Sequence, residues 1–230
     1  MLKQAIDDLR AGRPILVFDS REREGETDIV VASQFINNEK IKFMRKAGGG
    51  LICTTMKEAD AKLLGLPYLE DFYRQHLDLG ERAVDHSDLK YDKDSSFSVT
   101  INYRDTFTGI SDKDRSSTIL KFSDLVSNLT NYNRQARNVF VEQFRIPGHV
   151  ILLIAREDYF LSRRGHTELS TYLVEKANLI PSATIVEMLG DDGNSLPFNK
   201  ASDFARQNSL TFIEGEEIIE QFKINLDNGG

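Results

Sequence analysis

Short continuous apolar runs alternate along this chain with stretches in which apolar residues recur every three or four positions. Ile15-Leu16-Val17-Phe18, Ile29-Val30-Val31-Ala32, Leu51-Ile52-Cys53-Thr54, Val150 to Ala155 and Thr184 to Leu189 have strand length and read as buried strands. Val99, Ile101 and Tyr103 alternate with polar residues and predict a half-buried strand, and a last strand covers 210–213. Helical spacing covers 2–11, stopping at Gly12, the segment from Asn37-Asn38 through Ile41 and Met44 to Gly48, and 57–64 before Gly65. It returns through Ile119 to Leu129 and over 167–178, 199–207 and 215–223. Strands interleaved with helices this often predict an α/β fold, or an α+β mixed sheet, with helices packed on it. Residues 68–94 break the pattern: alternating charges, two histidines and few apolar residues predict a surface excursion, and 106–118 is polar and turn-rich.

Composition narrows the class. With 230 residues and no shift in composition, a single catalytic-sized domain over 1–230 is expected. The net charge of −7 argues against binding to nucleic acid or to an anionic membrane. No run approaches the about 20 apolar residues of a membrane span. Cys53 is the only cysteine, so no intrachain disulfide forms, and the expected location is the cytoplasm.

Chemistry concentrates at a few places. Asp19-Ser20-Arg21-Glu22-Arg23-Glu24-Gly25-Glu26-Thr27-Asp28 sets five carboxylates and two arginines between two strands, either as hard oxygen ligands for a divalent cation or as a solvated, self-neutralising turn. Arg163-Arg164-Gly165-His166-Thr167-Glu168 opens a helix, where arginines, a hydroxyl and free backbone donors suit a phosphate and place an imidazole beside it. The alternative is a decorated loop with Thr167 as the cap. Pro147-Gly148-His149 presents an imidazole from a stiff, sharply bending turn, for catalysis or simply bonded to a nearby carbonyl. Glu187 interrupts an apolar strand, so it faces a cation, a hydrogen-bonding group or a cleft, or else pairs with an arginine. Gly48-Gly49-Gly50 lacks the Lys-Ser/Thr of a phosphate-binding loop, Asp191-Asp192-Gly193-Asn194 reads as a tight turn, and Cys53 reads as a small buried hydrophobe.

These segments, together with Gly50-Leu51-Ile52-Cys53, Phe107-Thr108-Gly109-Ile110-Ser111, Asp114-Arg115 and Thr118, give the chain a resemblance to the 3,4-dihydroxy-2-butanone-4-phosphate synthases, in order and spacing from about residue 5 to residue 215. The resemblance implies that family's α/β fold in its stand-alone form, and a homodimer with sites at or near the interface. It implies a lyase of riboflavin biosynthesis that converts D-ribulose 5-phosphate to L-3,4-dihydroxy-2-butanone 4-phosphate and formate. Mg2+ or Mn2+, two ions per site, is the implied cofactor. Position by position, Glu24 and His166 match metal ligands, and Arg23 and Asp28 match substrate contacts. Arg163, Gly165 and Thr167 match the phosphate-binding segment, whereas His149 and Glu187 match positions essential for catalysis. Thr108 and Asp114 belong to the part that reaches toward the neighbouring subunit's site, and Glu24, His166 and Glu187 also count among the substrate contacts.

Overall fold

The computed structural model describes residues 1–78 and 80–227. Leu79 of the expected excursion and residues 228–230 of the expected domain lie outside the described residues. The strands are Ile15–Phe18 (β1), Thr27–Ala32 (β2), Cys53–Lys57 (β3), Phe97–Tyr103 (β4), Phe144–Ala155 (β5), Ala183–Glu187 (β6) and Thr211–Glu214 (β7). They form one mixed sheet in the order β4-β5-β3-β6-β2-β1-β7. The helices are Leu2–Arg10 (α1), Asn38–Ala47 (α2), Glu58–Leu64 (α3), Leu69–His76 (α4), Asp112–Ser127 (α5), Leu129–Tyr132 (α6), Ala136–Gln143 (α7), His166–Lys176 (α8), Phe198–Gln207 (α9) and Gly215–Asp227 (α10). This is the mixed α/β architecture that the alternation of runs and spacings requires.

The continuous apolar runs follow from burial on both faces of the sheet. Leu16, Ile29, Val31 and Met56 pack into one core with α2, α5, α7 and α9. Their neighbours Ile15, Val17, Val30 and Cys53 point to the other face, against α1, α8 and α10. Asp28 alternates with Ile29, so it shares the face of Val30 and looks toward α8. In the register of β2 against β6, Asp28 lies directly opposite Glu187, which puts two carboxylates side by side at one end of the sheet.

Some elements differ from the sequence pattern for local reasons. Helix α5 starts at Asp112, inside the stretch expected to be turn-rich through Thr118, because the Ser111 hydroxyl caps the Asp114 N–H at 3.0 Å and two aspartates occupy the first turn. Helix α4 forms within the expected excursion, and α7 fills a segment with no clear period. Strand β3 begins two residues later than its apolar run, after Gly49 has bridged to Met188.

The largest difference is in β5, which starts at Phe144 rather than Val150. Ile101 of β4 pairs with Val150, but Asn102 pairs with Arg145, so residues 146–149 are looped out of the ladder, with a cis Ile146–Pro147 bond. Gly148 is not among the positive-φ glycines, and a Cβ on it would sit 1.9 Å from the Ile101 carbonyl carbon. Glycine is needed for close approach of two backbones. Replacing Gly148 with Ala is therefore expected to destabilise the fold by more than about 2 kcal/mol, read as a lower urea midpoint at fixed protein concentration.

Candidate active site

The acidic loop joins two paired strands, with Phe18 opposite Thr27, so both of its ends are fixed. Asp19 organises it from within. This carboxylate is 2% exposed, accepts the N–H groups of Glu24 at 3.1 Å and Glu26 at 2.9 Å, and takes Arg23 Nη1 at 3.0 Å. Gly25 adopts φ +69°, the left-handed conformation that closes the turn. With its amides tied to Asp19, the loop is no solvated turn, and Arg23 and Glu24 lean over the start of α8.

His166 is the first residue of α8. Gly165 stands at the N-cap with no side-chain cap, so Thr167 does not cap the helix. His166 Nδ1 lies 3.6 Å from Glu24 Oε2, and Nε2 lies 3.7 Å from Asp28 Oδ1. Among the described residues, both His166 Nε2 and Asp28 Oδ1 are buried without a hydrogen-bond partner. Asp19, Glu24 and His166 each offer a ligand atom within 4.8 Å of the others. Two orphaned ligand atoms beside such a cluster fit a hard divalent cation.

The electrostatics express the same crowding. Burial pushes the Asp28 carboxyl up to about 8, with Glu187, Glu24 and Glu26 adding to the rise and His166 opposing it. Burial alone would lower His166, but Asp28, Glu24 and Asp19 raise it to about 9. For Glu24, burial raises the pKa, yet His166 and Arg23 outweigh it and hold the group at about 2. The cluster binds protons where a cation would compete for the same lone pairs.

Next to it lies a place for an anion. Glu168, fully buried, accepts Arg163 Nη1 at 2.8 Å and the Arg156 N–H at 3.2 Å, which fixes one edge of the Arg163 guanidinium. The other edge meets Asp92 at 2.9 Å, and Asp92 also accepts a hydrogen bond from Arg23 Nη2. A carboxylate thus lies between two guanidinium groups whose Nε atoms are buried and unpartnered. A Cβ at Gly165 would lie 2.2 Å from Arg163 Nη1 and 2.7 Å from Arg23 Nη2, so glycine lets both close on the helix start.

Glu187 ends β6 and accepts the Leu51 N–H at 2.8 Å, not an arginine. Burial raises its pKa. A Cβ on Gly50 would be 2.2 Å from Glu187 Oε2, which explains the last glycine of the triplet.

A cleft of about 250 Å3 joins these groups: Arg23, Glu24, Asp28, Arg163, His166, Thr167 and Glu187 line it, with Gly165 behind them. His149, Thr108 and Asp114 do not line it. They gather around the looped-out part of β5, where Asp114 accepts the N–H groups of Thr108 at 3.1 Å and Gly109 at 2.9 Å, and Asn102 binds His149. Sequence reasoning missed Asp92 and Tyr91, which reach the cleft from the excursion, and Cys53, which lines it from β3; it had Asp19 and Glu168 within the segments it singled out but did not give them their organising roles. Cys53 is buried as expected, with its thiol pKa raised by that burial. Asp19 and Glu168 carried a signal, the first as a carboxylate of the acidic loop and the second as the last residue of the Arg163 to Glu168 motif.

A mixed α/β sheet with carboxylates, an imidazole and two arginines around one cleft has the make-up of an enzyme site for a small molecule. A family signature described as 3,4-dihydroxy-2-butanone 4-phosphate synthase matches residues 3–221, and the chain belongs to that family. The synthase of Methanosarcina mazei is 40% identical over 226 residues, 96% of this chain and 90% of that protein. That of Archaeoglobus fulgidus is 38% identical over 225 residues, covering 96% and 93%. A crystal structure of the Candida albicans synthase matches with TM-score 0.73 and 25% identity over 96% of each chain. A further synthase structure, described as in complex with two magnesium ions, has TM-score 0.74 and 24% identity over the same shares.

Because Glu24 is held at about 2, below its ordinary 4.5, its ionised form stabilises the folded state above pH 4.5, and that contribution fades as pH falls toward 2. Glu24→Gln is expected to lower stability by roughly 1–3 kcal/mol at neutral pH, with the gap to wild type closing in acid, measured by denaturation across pH.

Proposed function

We propose that this protein converts D-ribulose 5-phosphate to L-3,4-dihydroxy-2-butanone 4-phosphate and formate, supplying the four-carbon precursor of riboflavin, with Mg2+ or Mn2+ as cofactor. The observation that carries this reading is the pair of orphaned atoms, His166 Nε2 and Asp28 Oδ1, set among carboxylates directly beside two arginines. Glu24 and His166 would hold the metal, with Asp19 a further donor in reach, and two ions per site is in keeping with the related synthase structure described as in complex with two magnesium ions. A divalent ion there supplies Lewis-acid stabilisation of an enediol.

The protein's own groups do the rest. Arg163, Thr167 and the backbone at the start of α8, next to Gly165, bind the phosphate, a handle remote from the bonds that change. The Asp92 carboxylate, between the guanidinium groups of Arg23 and Arg163, marks where an oxyanion is favoured. Arg23 and Asp28 contact the sugar. Glu187, raised by burial and aimed into the cleft, shares the acid–base work with His149.

His149, Thr108 and Asp114 stand outside their own cleft, and nearly fully exposed Phe107, with exposed Ile110 and Ile146, flanks them. This supports a homodimer in which that corner completes the partner's site. The small-molecule reaction requires neither nucleic acid nor a membrane, no described helix is long and apolar enough to cross one, and the proposed location is the cytoplasm.

Purified protein with Mg2+ is expected to release formate from ribulose 5-phosphate. An isomerase or aldolase would turn the sugar over without formate, and a phosphosugar-binding module would bind it without product; either result contradicts the proposal. Glu187→Gln and His149→Ala should each lose at least about 100-fold in kcat. Mixing the two inactive variants should restore part of the activity through hybrid dimers with one intact site, and no recovery would place His149 in its own subunit's site.

A further inference from the structure

Asn102 is 8% exposed and reaches from β4 into the looped-out corner of β5. Two backbone groups of fixed polarity set its amide. Oδ1 accepts the His149 N–H at 2.8 Å, and Nδ2 donates to the Thr108 carbonyl at 3.4 Å. Reversing the amide would point an NH2 at an N–H and an oxygen at a carbonyl, so the orientation is determined without reference to the imidazole.

The imidazole then has little freedom. His149 Nδ1 lies 3.1 Å from Asn102 Nδ2 and 3.3 Å from Oδ1. Nδ2 has a second hydrogen, and Nδ1 is its nearest acceptor. A proton on Nδ1 would turn to Oδ1 at 3.3 Å, but that oxygen already takes the His149 N–H at 2.8 Å, and the second Nδ2 hydrogen would then lose its nearest acceptor. With Nδ1 as acceptor, every polar atom of the amide is satisfied. The amide itself is held from behind: a Cβ on Gly109 would come within 2.4 Å of Asn102 Nδ2, Cγ and Oδ1, so only glycine leaves room for it there.

We propose that Asn102 is a positioning residue that fixes His149 as the neutral tautomer with its proton on Nε2, so that His149 serves as a hydrogen-bond donor and leaves proton abstraction to Glu187. The inference rests on the reaction proposed above and divides the acid–base work that reading left shared. An Nε2–H aimed at developing negative charge stabilises it without giving up the proton, as preorganised donors do in oxyanion sites.

The test reads the ring nitrogens directly. In 15N-labelled wild-type protein without substrate, at a pH where the ring is uncharged, the His149 signal, assigned by its loss in His149→Ala, should show a protonated Nε2 and an unprotonated Nδ1. A proton on Nδ1, or an even mixture, overturns the proposal, and this spectrum decides even if no Asn102 variant folds. Asn102→Asp replaces the donor with an acceptor and should move the proton to Nδ1. It should also lower kcat about 100-fold with KM within about twofold. An unchanged tautomer or unchanged kcat in that variant overturns the positioning role. Lack of formate release by wild type would overturn the reaction reading instead, whereas an Nδ1 proton in an active enzyme overturns this one.

Discussion

At the start of α8, Asp19, Glu24 and Asp28 crowd around the His166 imidazole, and burying such charges costs several kcal/mol per ion unless each finds a partner. The chain meets that cost with a shared network. Asp19 binds Arg23, Arg23 binds Glu24 and Asp92, Asp92 binds Arg163, and Arg163 binds Glu168. Members of this chain come from the β1–β2 loop, the excursion, the turn before α8 and α8 itself. Removing one charge leaves another buried and unpaired, so the network ties the loop, the excursion and the helix start together.

The sheet supplies the fixed frame for that network. Antiparallel pairing of β2 with β6 sets Asp28 opposite Glu187, and alternation along β2 sends Asp28 toward α8. Helix α8 is held to the sheet by hydroxyls as well as by its apolar face: Thr171 Oγ1 donates to the Thr167 carbonyl at 2.7 Å and lies 2.8 Å from Thr55 Oγ1, which accepts the Ala183 N–H at 3.0 Å. The end of the helix that bears His166 therefore cannot shift independently of β3 and β6. At the far side of the sheet, the looped-out residues of β5 use the same device, a short polar side chain fixed by backbone groups, to present His149.

Much of this was readable from residue order. The apolar runs predict the central strands because burial on both faces needs continuous hydrophobes, and the 163–168 motif stands out because arginines, a hydroxyl and free backbone donors at a helix start suit an anion. Glu187 announced itself as a charge inside such a run. The excursion did not: Asp92 enters the cleft through contacts with Arg23 and Arg163, 69 and 71 positions away in sequence by their numbers, and no local period records such a pairing. The start of β5 was illegible for a similar reason. Arg145 to His149 mixes charge, proline and glycine, and its pairing is decided by Asn102 on another strand. The assignment of Glu24 and His166 as proposed metal ligands came from family likeness, and the two lie 3.6 Å apart.

The acidic loop and the imidazole of α8 are proposed to make one cation site. Titration of Mn2+ followed by the paramagnetic resonance of the free ion tests it without substrate or turnover. Wild-type protein is expected to remove the free-ion signal, and Glu24→Gln and His166→Ala, folded by circular dichroism, to weaken this binding at least about tenfold each. Equal Mn2+ affinity in wild type and both variants would contradict it.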